Sequence, residues 1–268
     1  MAIPENGRDP SPDRLRRPPS PARGEGPLCE PAMVTSPTIC LLPGLLCDAT
    51  VWAAQAAALA GHGRVHVGDL WGPRSFAAMA GKVLDETSGS LAVAGHSMGA
   101  RVAFEMWRLA PERIERLALL STGFHPPGPQ EEPKRMALVR LAYEQGMAAV
   151  ADRWLPPMVH PDRVHDEALM APLRAMVCRA TPEIFEGQQR AGLSRPDAGP
   201  YLETIACPTL ILVGRQDGWS PPAQHAEMAR RIGRSELVLV EHSGHMVTVE
   251  QPEPVSRALA AWLGSARG

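Results

Sequence analysis

Ser97, Asp217 and His245 have the types and the order along the chain that can turn a serine hydroxyl into a nucleophile. At neutral pH that hydroxyl attacks poorly on its own, so it needs a general base and a third group to orient the base. Ser97 stands in Gly95-His96-Ser97-Met98-Gly99, Asp217 in Gly214-Arg215-Gln216-Asp217, and His245 in Glu241-His242-Ser243-Gly244-His245. Nucleophile, acid, histidine is one of the recurrent chain orders for such a triad. Acyl transfer also needs N–H donors for the tetrahedral oxyanion. The amide of Met98, directly after Ser97, is one candidate. The second falls in Leu42-Pro43-Gly44-Leu45-Leu46-Cys47-Asp48, where the Leu45 N–H is favoured and the Leu46 N–H is the alternative. Gly44 would let the backbone there turn toward the site.

These residues are only as good as the elements that carry them. Ser90-Leu91-Ala92-Val93-Ala94 reads as a buried strand, and Ala100 to Leu109 reads as a helix. Strand, sharp turn and helix are the context that makes a G-x-S-x-G match a nucleophile elbow. Its two glycines let strand and helix backbones approach, and the first N–H groups of the helix face developing negative charge. Asp217 follows the apolar strand Thr209–Val213, and His245 follows the strand Leu237–Val240. Both therefore sit on loops at carboxyl ends of strands, the edge where Ser97 also emerges and where open α/β sheets place their sites. Among competitors, His242 is a structural neighbour three residues before His245, and His96 is expected to line the pocket. Asp69 follows a different strand, and Asp197 lies near the end of a helical insertion.

The rest of the chain alternates in the same way. A strand at Thr38–Leu42 precedes an Ala-rich helix near Val51–Ala60. A short strand at Arg64–Val67, a helix at Phe76–Glu86 and a strand at Arg116–Leu120 continue the series. Alternation of this kind implies a parallel sheet covered by helices on both faces. From about Phe124 to Ala198 the pattern stops. Helical stretches at Met136–Gln145 and Glu167–Arg179 appear there, with prolines at 156, 157, 161, 172 and 182 and no convincing strand. Such a segment reads as a helical cap over the carboxyl edge of the sheet, since a structureless connection of that length is uncommon. Alternation resumes with helices near Ala223–Ile232 and Pro254–Leu263. The expected architecture is thus α/β, about six mostly parallel strands flanked by helices. Residues 37–123 and 199–268 form the core, and 124–198 form the inserted cap.

Composition narrows the partners. The chain has 268 residues with 44% apolar, enough for a substantial core. A formal net charge of −2 favours neither nucleic acid nor an acidic membrane surface. Five cysteines, an odd number with no C-x-x-C pair, argue against a disulfide framework and for a reducing cytoplasm. No run approaches the ~18 apolar residues of a membrane helix. Residues 1–36 are rich in Pro, Arg, Gly and Ser and read as a disordered tail, or as an over-extended start with Met33 as the true first residue. Arg16-Arg17 is followed by Pro18-Pro19-Ser20-Pro21 rather than an apolar stretch, which excludes a twin-arginine signal.

Several phrases now add up: Leu41-Leu42-Pro43-Gly44, the Ser97 elbow, Pro111-Glu112-Arg113-Ile114, Cys207-Pro208-Thr209-Leu210, Gly214-Arg215-Gln216-Asp217 and Gly244-His245-Met246. On these, the chain from Pro37 to Leu263 resembles α/β-hydrolase-fold enzymes. Within them it is similar to compact bacterial carboxylesterases, acyl-carrier-protein methyl esterases and enol-lactone hydrolases with a helical cap. The resemblance implies a sheet that lacks the usual first antiparallel hairpin. It also implies a serine hydrolase with no metal or organic cofactor, acting on a small-molecule ester, lactone or thioester. Two departures alter the site: Pro43-Gly44 replaces the common His-Gly, and Asp69-Leu70-Trp71-Gly72-Pro73-Arg74-Ser75 replaces the usual Gly-rich turn.

The cap is expected to select the substrate. Met136, Met147, Trp154, Met158, Met170 and Met176 either line an adaptable apolar pocket or pack the cap helices together. Arg190 and Arg195 are candidates to hold a substrate carboxylate or phosphate, against the alternative of solvated charge or pairing with Asp197. Leu46, His96, Trp154, Arg190, Trp219 and Met246 are the candidate substrate contacts. Two other functions remain compatible with the same residues: a lyase or cofactor-free synthase using the triad, and a non-catalytic receptor for a small ligand.

Overall fold

The computed structural model describes residues 36–265, and the expectation for the N-terminal segment falls outside them. Six strands form one sheet: β1 (Thr38–Leu42), β2 (Val65–Val67), β3 (Leu91–His96), β4 (Ile114–Leu120), β5 (Thr209–Gly214) and β6 (Ser235–Val240). Every pairing is parallel and the order is β2-β1-β3-β4-β5-β6. The chain steps outward from β1 to β2, returns to lay β3 on the other side of β1, and then proceeds to the far edge. Its winding reverses between β1 and β3, so the crevice over their carboxyl ends is where a ligand site belongs. Leu42 lies opposite Gly95, which sets the turn after β1 beside the turn after β3.

Parallel strands need helical crossovers. The helices are α1 (Ala53–Leu59), α2 (Phe76–Glu86), α3 (Met98–Leu109), α4 (Glu131–Trp154), α5 (Glu167–Arg179), α6 (Pro182–Leu193), α7 (Gly199–Leu202), α8 (Pro222–Arg231), α9 (Val247–Glu250) and α10 (Pro252–Gly264). Period-two alternation in the strands feeds two cores. Ile39, Leu41, Ala92, Ala94 and Leu120 pack with Leu59 of α1 and Val255 and Leu259 of α10. Cys40, Leu42, Val93, Leu117 and Leu119 pack with α2, α3 and α8 through Met79, Val83, Met106 and Met228. Short polar side chains set the helix starts by accepting otherwise unpaired N–H groups. Ser75 accepts from Ala78 N, Asp166 from Leu169 N, and Thr181 from Ile184 N.

Between β4 and β5 the chain runs through α4 to α7 without a strand, and α4 packs on both α5 and α6. Pro172 lies inside α5, and Pro182 opens α6, where its missing N–H has no partner to lose. The expected helix Met136–Gln145 is part of the longer α4, which kinks at Gly146 with φ 80° and ψ 172°.

An alanine Cβ would meet nothing within 4 Å at either Gly146 or Gly81 of α2, so both substitutions isolate the backbone. Gly146→Ala is expected to destabilise by about 1–3 kcal/mol, because only glycine adopts that conformation freely. Gly81→Ala is expected to stabilise by about 0.5–1 kcal/mol, because its backbone is helical. Urea denaturation of the two variants tests the opposite signs.

Candidate active site

The turn after β3 is built by close approach. A Cβ on Gly95 would lie 2.4 Å from Ala100 N, and one on Gly99 would lie 2.1 Å from the Leu42 carbonyl oxygen. No larger residue fits at either place. Ser97 between them is forced to φ 53°, ψ −113°, a strained conformation costing about 1–3 kcal/mol. Its N–H donates to the Leu120 carbonyl at 2.8 Å, and Thr122 Oγ1 donates to the Ser97 carbonyl at 3.1 Å. Leu46, Ser121 and His242 also have positive φ, and each lies just past the end of a strand on this same edge.

The Ser97 hydroxyl lies 2.8 Å from Nε2 of His245, whose Nδ1 lies 2.9 Å from Oδ2 of Asp217. A carboxylate can only accept, so Nδ1 carries the imidazole proton and Nε2 accepts from the serine. Asp217 is buried, which on its own would raise its pKa. The charge and hydrogen bond of His245, with N–H groups of Ser220 and Trp219 on Oδ1, outweigh burial and hold it below the ordinary value. The acid therefore stays ionised behind the imidazole.

The loop holding His245 is gripped from several sides. The N–H groups of His245 and Met246 both donate to the Met158 carbonyl, at 2.8 and 3.0 Å. Glu250 accepts from Gly244 N at 2.9 Å and from His160 N at 2.6 Å. His96 Nε2 donates to the His245 carbonyl at 2.8 Å. This corrects the expectation for His96: it is buried beneath the site and steadies the histidine backbone instead of lining the pocket. Burial, reinforced by the nearby His245, pulls its pKa down to about 4. His225 of α8 holds the other side, accepting from Thr122 N at 2.9 Å and meeting the Pro221 carbonyl at 3.2 Å. Burial brings it to about 4 as well.

Around Ser97 is a cavity of about 380 Å³, walled in part by Leu45, Met98, Trp154, Gln188, Trp219 and His245. Among the described residues neither the Leu45 nor the Met98 N–H donates a hydrogen bond, so both remain available to a ligand. The Leu46 N–H is taken, donating to Gln188 Oε1 at 2.8 Å, which removes it as the alternative donor. Leu46 and Met246 are fully buried away from the cavity, which corrects both as substrate contacts. Arg190 is corrected too: it pairs with Glu186 at 2.7 Å, outside this cavity. Arg195 does reach the cavity wall, paired with Glu131 at 2.5 Å instead of with Asp197. Of the cap methionines, Met158 joins Trp154 on the wall, while Met147 and Met176 are buried in the core.

Of the rejected competitors, His242 presents an exposed side chain, Asp69 pairs with Lys82, and Asp197 accepts from Gly199 N. Gln188, Thr122, Glu250 and Arg101 are site residues that sequence reasoning missed. Only Arg101 carried a signal, lying four residues after Ser97. Among the described residues no group of three or more His, Cys, Asp or Glu side chains is placed to hold a metal ion.

A family model described as the alpha/beta hydrolase family matches residues 39–258. A pimeloyl-[acyl-carrier protein] methyl ester esterase from Nitrosomonas europaea is 27% identical over 236 residues, 81% of this chain and 92% of the relative. Among solved structures, a thermophilic esterase from Thermogutta terrifontis superposes with a TM-score of 0.78 at 30% identity, covering 85% of this chain and 90% of its own. An enol-lactonase from Burkholderia xenovorans gives a TM-score of 0.78 at 25% identity, covering 86% and 92%.

The two buried histidines generate a pH prediction. An unfolded histidine titrates near 6.5, so between pH 6.5 and 4 the unfolded chain binds protons that His96 and His225 refuse in the fold. Stability therefore falls as pH falls through this window, by about 3 kcal/mol per histidine at pH 4. Denaturation at pH 7 and pH 4 is expected to show His225→Gln losing about 3 kcal/mol less than the unsubstituted protein. An equal loss in both would remove His225 from the account.

Proposed function

The chain belongs to the alpha/beta hydrolase family, and from that premise we propose that it hydrolyses a carboxylic ester, lactone or thioester of a small molecule through an acyl-enzyme on Ser97. The observation that carries this reading is the unbroken chain of hydrogen bonds from Ser97 Oγ through His245 to Asp217, opening into a walled cavity. The relatives named above as esterase, methyl ester esterase and enol-lactonase support the ester and lactone classes.

In the proposed mechanism His245 Nε2 takes the hydroxyl proton as Ser97 Oγ attacks the substrate carbonyl carbon. Asp217 keeps the imidazole in the right tautomer and stabilises the imidazolium that forms. The N–H groups of Met98 and Leu45 hold the oxyanion, with the helix start of α3 behind the first. The tetrahedral intermediate collapses, His245 returns its proton to the leaving alcohol or thiol, and the acyl group stays on Ser97. Water then attacks, deprotonated by His245, and the acid leaves as Ser97 regains its proton. Residues 124–198 act as the cap that walls the acyl site, contributing Trp154, Met158 and Gln188. A cytoplasmic setting suits the four described cysteines, all free thiols, three of them buried. No helix among the described residues is long and apolar enough to cross a membrane.

The test is hydrolysis of p-nitrophenyl acetate through octanoate. The protein is expected to turn over the shorter esters, and Ser97→Ala to lose at least about 10³-fold in kcat/KM. Retained activity in Ser97→Ala would defeat the mechanism. With no turnover by either protein, labelling of Ser97 by a fluorophosphonate would leave an activated serine and redirect the search to lactones and thioesters.

A second prediction concerns the oxyanion loop. Gln188→Ala frees the Leu46 N–H and loosens the backbone that presents Leu45, so kcat is expected to fall roughly tenfold. Gln188→Glu keeps an acceptor for that N–H and is expected to recover most of the loss. If Glu fares no better than Ala, the hydrogen bond to Leu46 is not what matters.

A further inference from the structure

Arg101 is a half-buried cation of this site with a guanidinium nitrogen left over. It belongs to the first turn of α3, and its backbone N–H lies 3.4 Å from the Ser97 carbonyl. Its side chain helps wall the cavity that holds Ser97, beside Gly123, where an added Cβ would lie 3.3 Å from Arg101 Nη2. Among the described residues Arg101 Nη1 is buried and has no hydrogen-bond partner.

Its neighbours deepen the deficit. Lys134, Arg135 and Arg195 wall the same cavity, and among the described residues Glu131 is the only carboxylate on that wall. Both Glu131 oxygens are already engaged, by Arg195 and Arg135, with the Gly128 N–H on Oε1 as well. Arg135 and Arg195 are thereby satisfied, and Arg135 also donates to Gln189 Oε1 at 2.7 Å. Burial, with the charges of Arg195 and Arg135 beside it, pulls the Arg101 guanidinium down to about 9, against the attraction of Glu131 and Asp197 at longer range. A guanidinium nitrogen buried without a partner is costly to keep, and a planar anion that takes the forked N–H groups in pairs would offset that cost.

We propose that the cavity binds an anionic substrate: an ester, lactone or thioester carrying a second, non-reacting carboxylate that pairs with Arg101. Lys134, Arg135 and Arg195 supply the surrounding positive field. Residues one helical turn apart lie on the same face, so the carboxylate sits only a few carbons from the carbonyl that Ser97 attacks. A carboxylate matches the site better than a phosphate dianion, because one guanidinium is free and the others are already shared with Glu131. The inference rests on Ser97 marking the reacting end of the ligand. It does not need turnover for its test.

The experiment measures binding by calorimetry to Ser97→Ala protein, so that no ligand is consumed. The probes are the monomethyl esters of succinic, glutaric and adipic acids, each against the neutral methyl ester of the corresponding monoamide. At least one acid is expected to bind tenfold or more tightly than its amide. In Ser97→Ala/Arg101→Met that ratio is expected to collapse toward one, and in Ser97→Ala/Arg101→Lys to recover in part. Arg190→Met in the Ser97→Ala background is the charge control and is expected to keep the ratio, since Arg190 lies outside the cavity. Circular dichroism and melting temperature establish that each variant is folded. Should Arg101→Met not fold, Arg101→Lys and Arg101→Gln carry the comparison.

Equal binding of acid and amide overturns the proposal, as does a ratio that survives the loss of Arg101. Preferential binding of inorganic phosphate over every carboxylate overturns the carboxylate assignment. If the acid preference and its dependence on Arg101 appear while the p-nitrophenyl esters are not hydrolysed, the anion site stands and the esterase reading fails. Hydrolysis without an acid preference means the opposite: the esterase reading stands and the anion site fails.

Discussion

The Ser97 turn presses so closely on the end of β1 that a methyl group on Gly99 would lie 2.1 Å from the Leu42 carbonyl oxygen. The contact joins the two segments that the chemistry needs. The segment after β1 presents the free N–H of Leu45, and the segment after β3 presents the Ser97 hydroxyl and the free N–H of Met98. Strand order makes the contact possible, because the winding reverses between β1 and β3 and leaves their carboxyl ends side by side. The contact also has a cost in the backbone at Ser97, which hydrogen bonds to Leu120 and from Thr122 help to offset. The strained residues Leu46, Ser97, Ser121 and His242 crowd onto this one edge, where rigid strands can hold conformations that isolated turns would relax.

Helices between β4 and β5 hold the site as well as cover it. Gln188 of α6 pins the Leu46 N–H, and the Met158 carbonyl receives two N–H groups from the His245 loop. Glu250 ties the same loop to His160, with burial raising its pKa against the N–H groups that stabilise its charge. A movement of these helices would therefore displace the oxyanion loop and the histidine together. The cavity wall and the candidate catalytic loops are thus coupled through hydrogen bonds, and the one to Leu46 is lost with the Gln188 side chain.

Much of the architecture was legible because local and global signals agree. The helix Phe76–Glu86 has apolar residues at 76, 79, 80 and 83 and a serine cap before it, and its bounds match the expectation. The sheet and its carboxyl-edge loops followed from alternation, and the structure brings both Ser97 and Asp217 within hydrogen-bond reach of His245. What stayed illegible depends on partners far away along the chain. Thr181-Pro182 is a capped helix start that the sequence reading did not name, and proline obstructs only a helix that is already running. His96 looked like a pocket residue because it adjoins Ser97, yet it continues β3 and turns beneath the site. Leu45 was favoured over Leu46 as a donor, but the physical reason lies in Gln188, 142 residues later, which claims the Leu46 N–H. Arg190 and Arg195 looked equivalent, and only the arrival of Glu131 and Glu186 separates the one in the cavity from the one outside it.

The charges of the cavity divide in the same way between α3 and the helical segment that joins β4 to β5. Arg101 comes from the core, fixed to the helix that begins at the nucleophile, whereas Lys134, Arg135, Arg195 and Glu131 come from the chain between β4 and β5. A triad of this kind attacks any carbonyl it can reach, so its own chemistry offers little discrimination. Discrimination has to come from groups left unsatisfied when the wrong molecule is bound. A guanidinium with a buried nitrogen and no hydrogen-bonded counterion is such a group, since a neutral ligand leaves it unsatisfied. Glu131 on the cavity wall could have been that counterion, but Arg135 and Arg195 occupy it from both sides. Engaging that carboxylate with Arg135 and Arg195 while leaving Arg101 without a hydrogen-bonded partner places the demand for an anion one helical turn from Ser97.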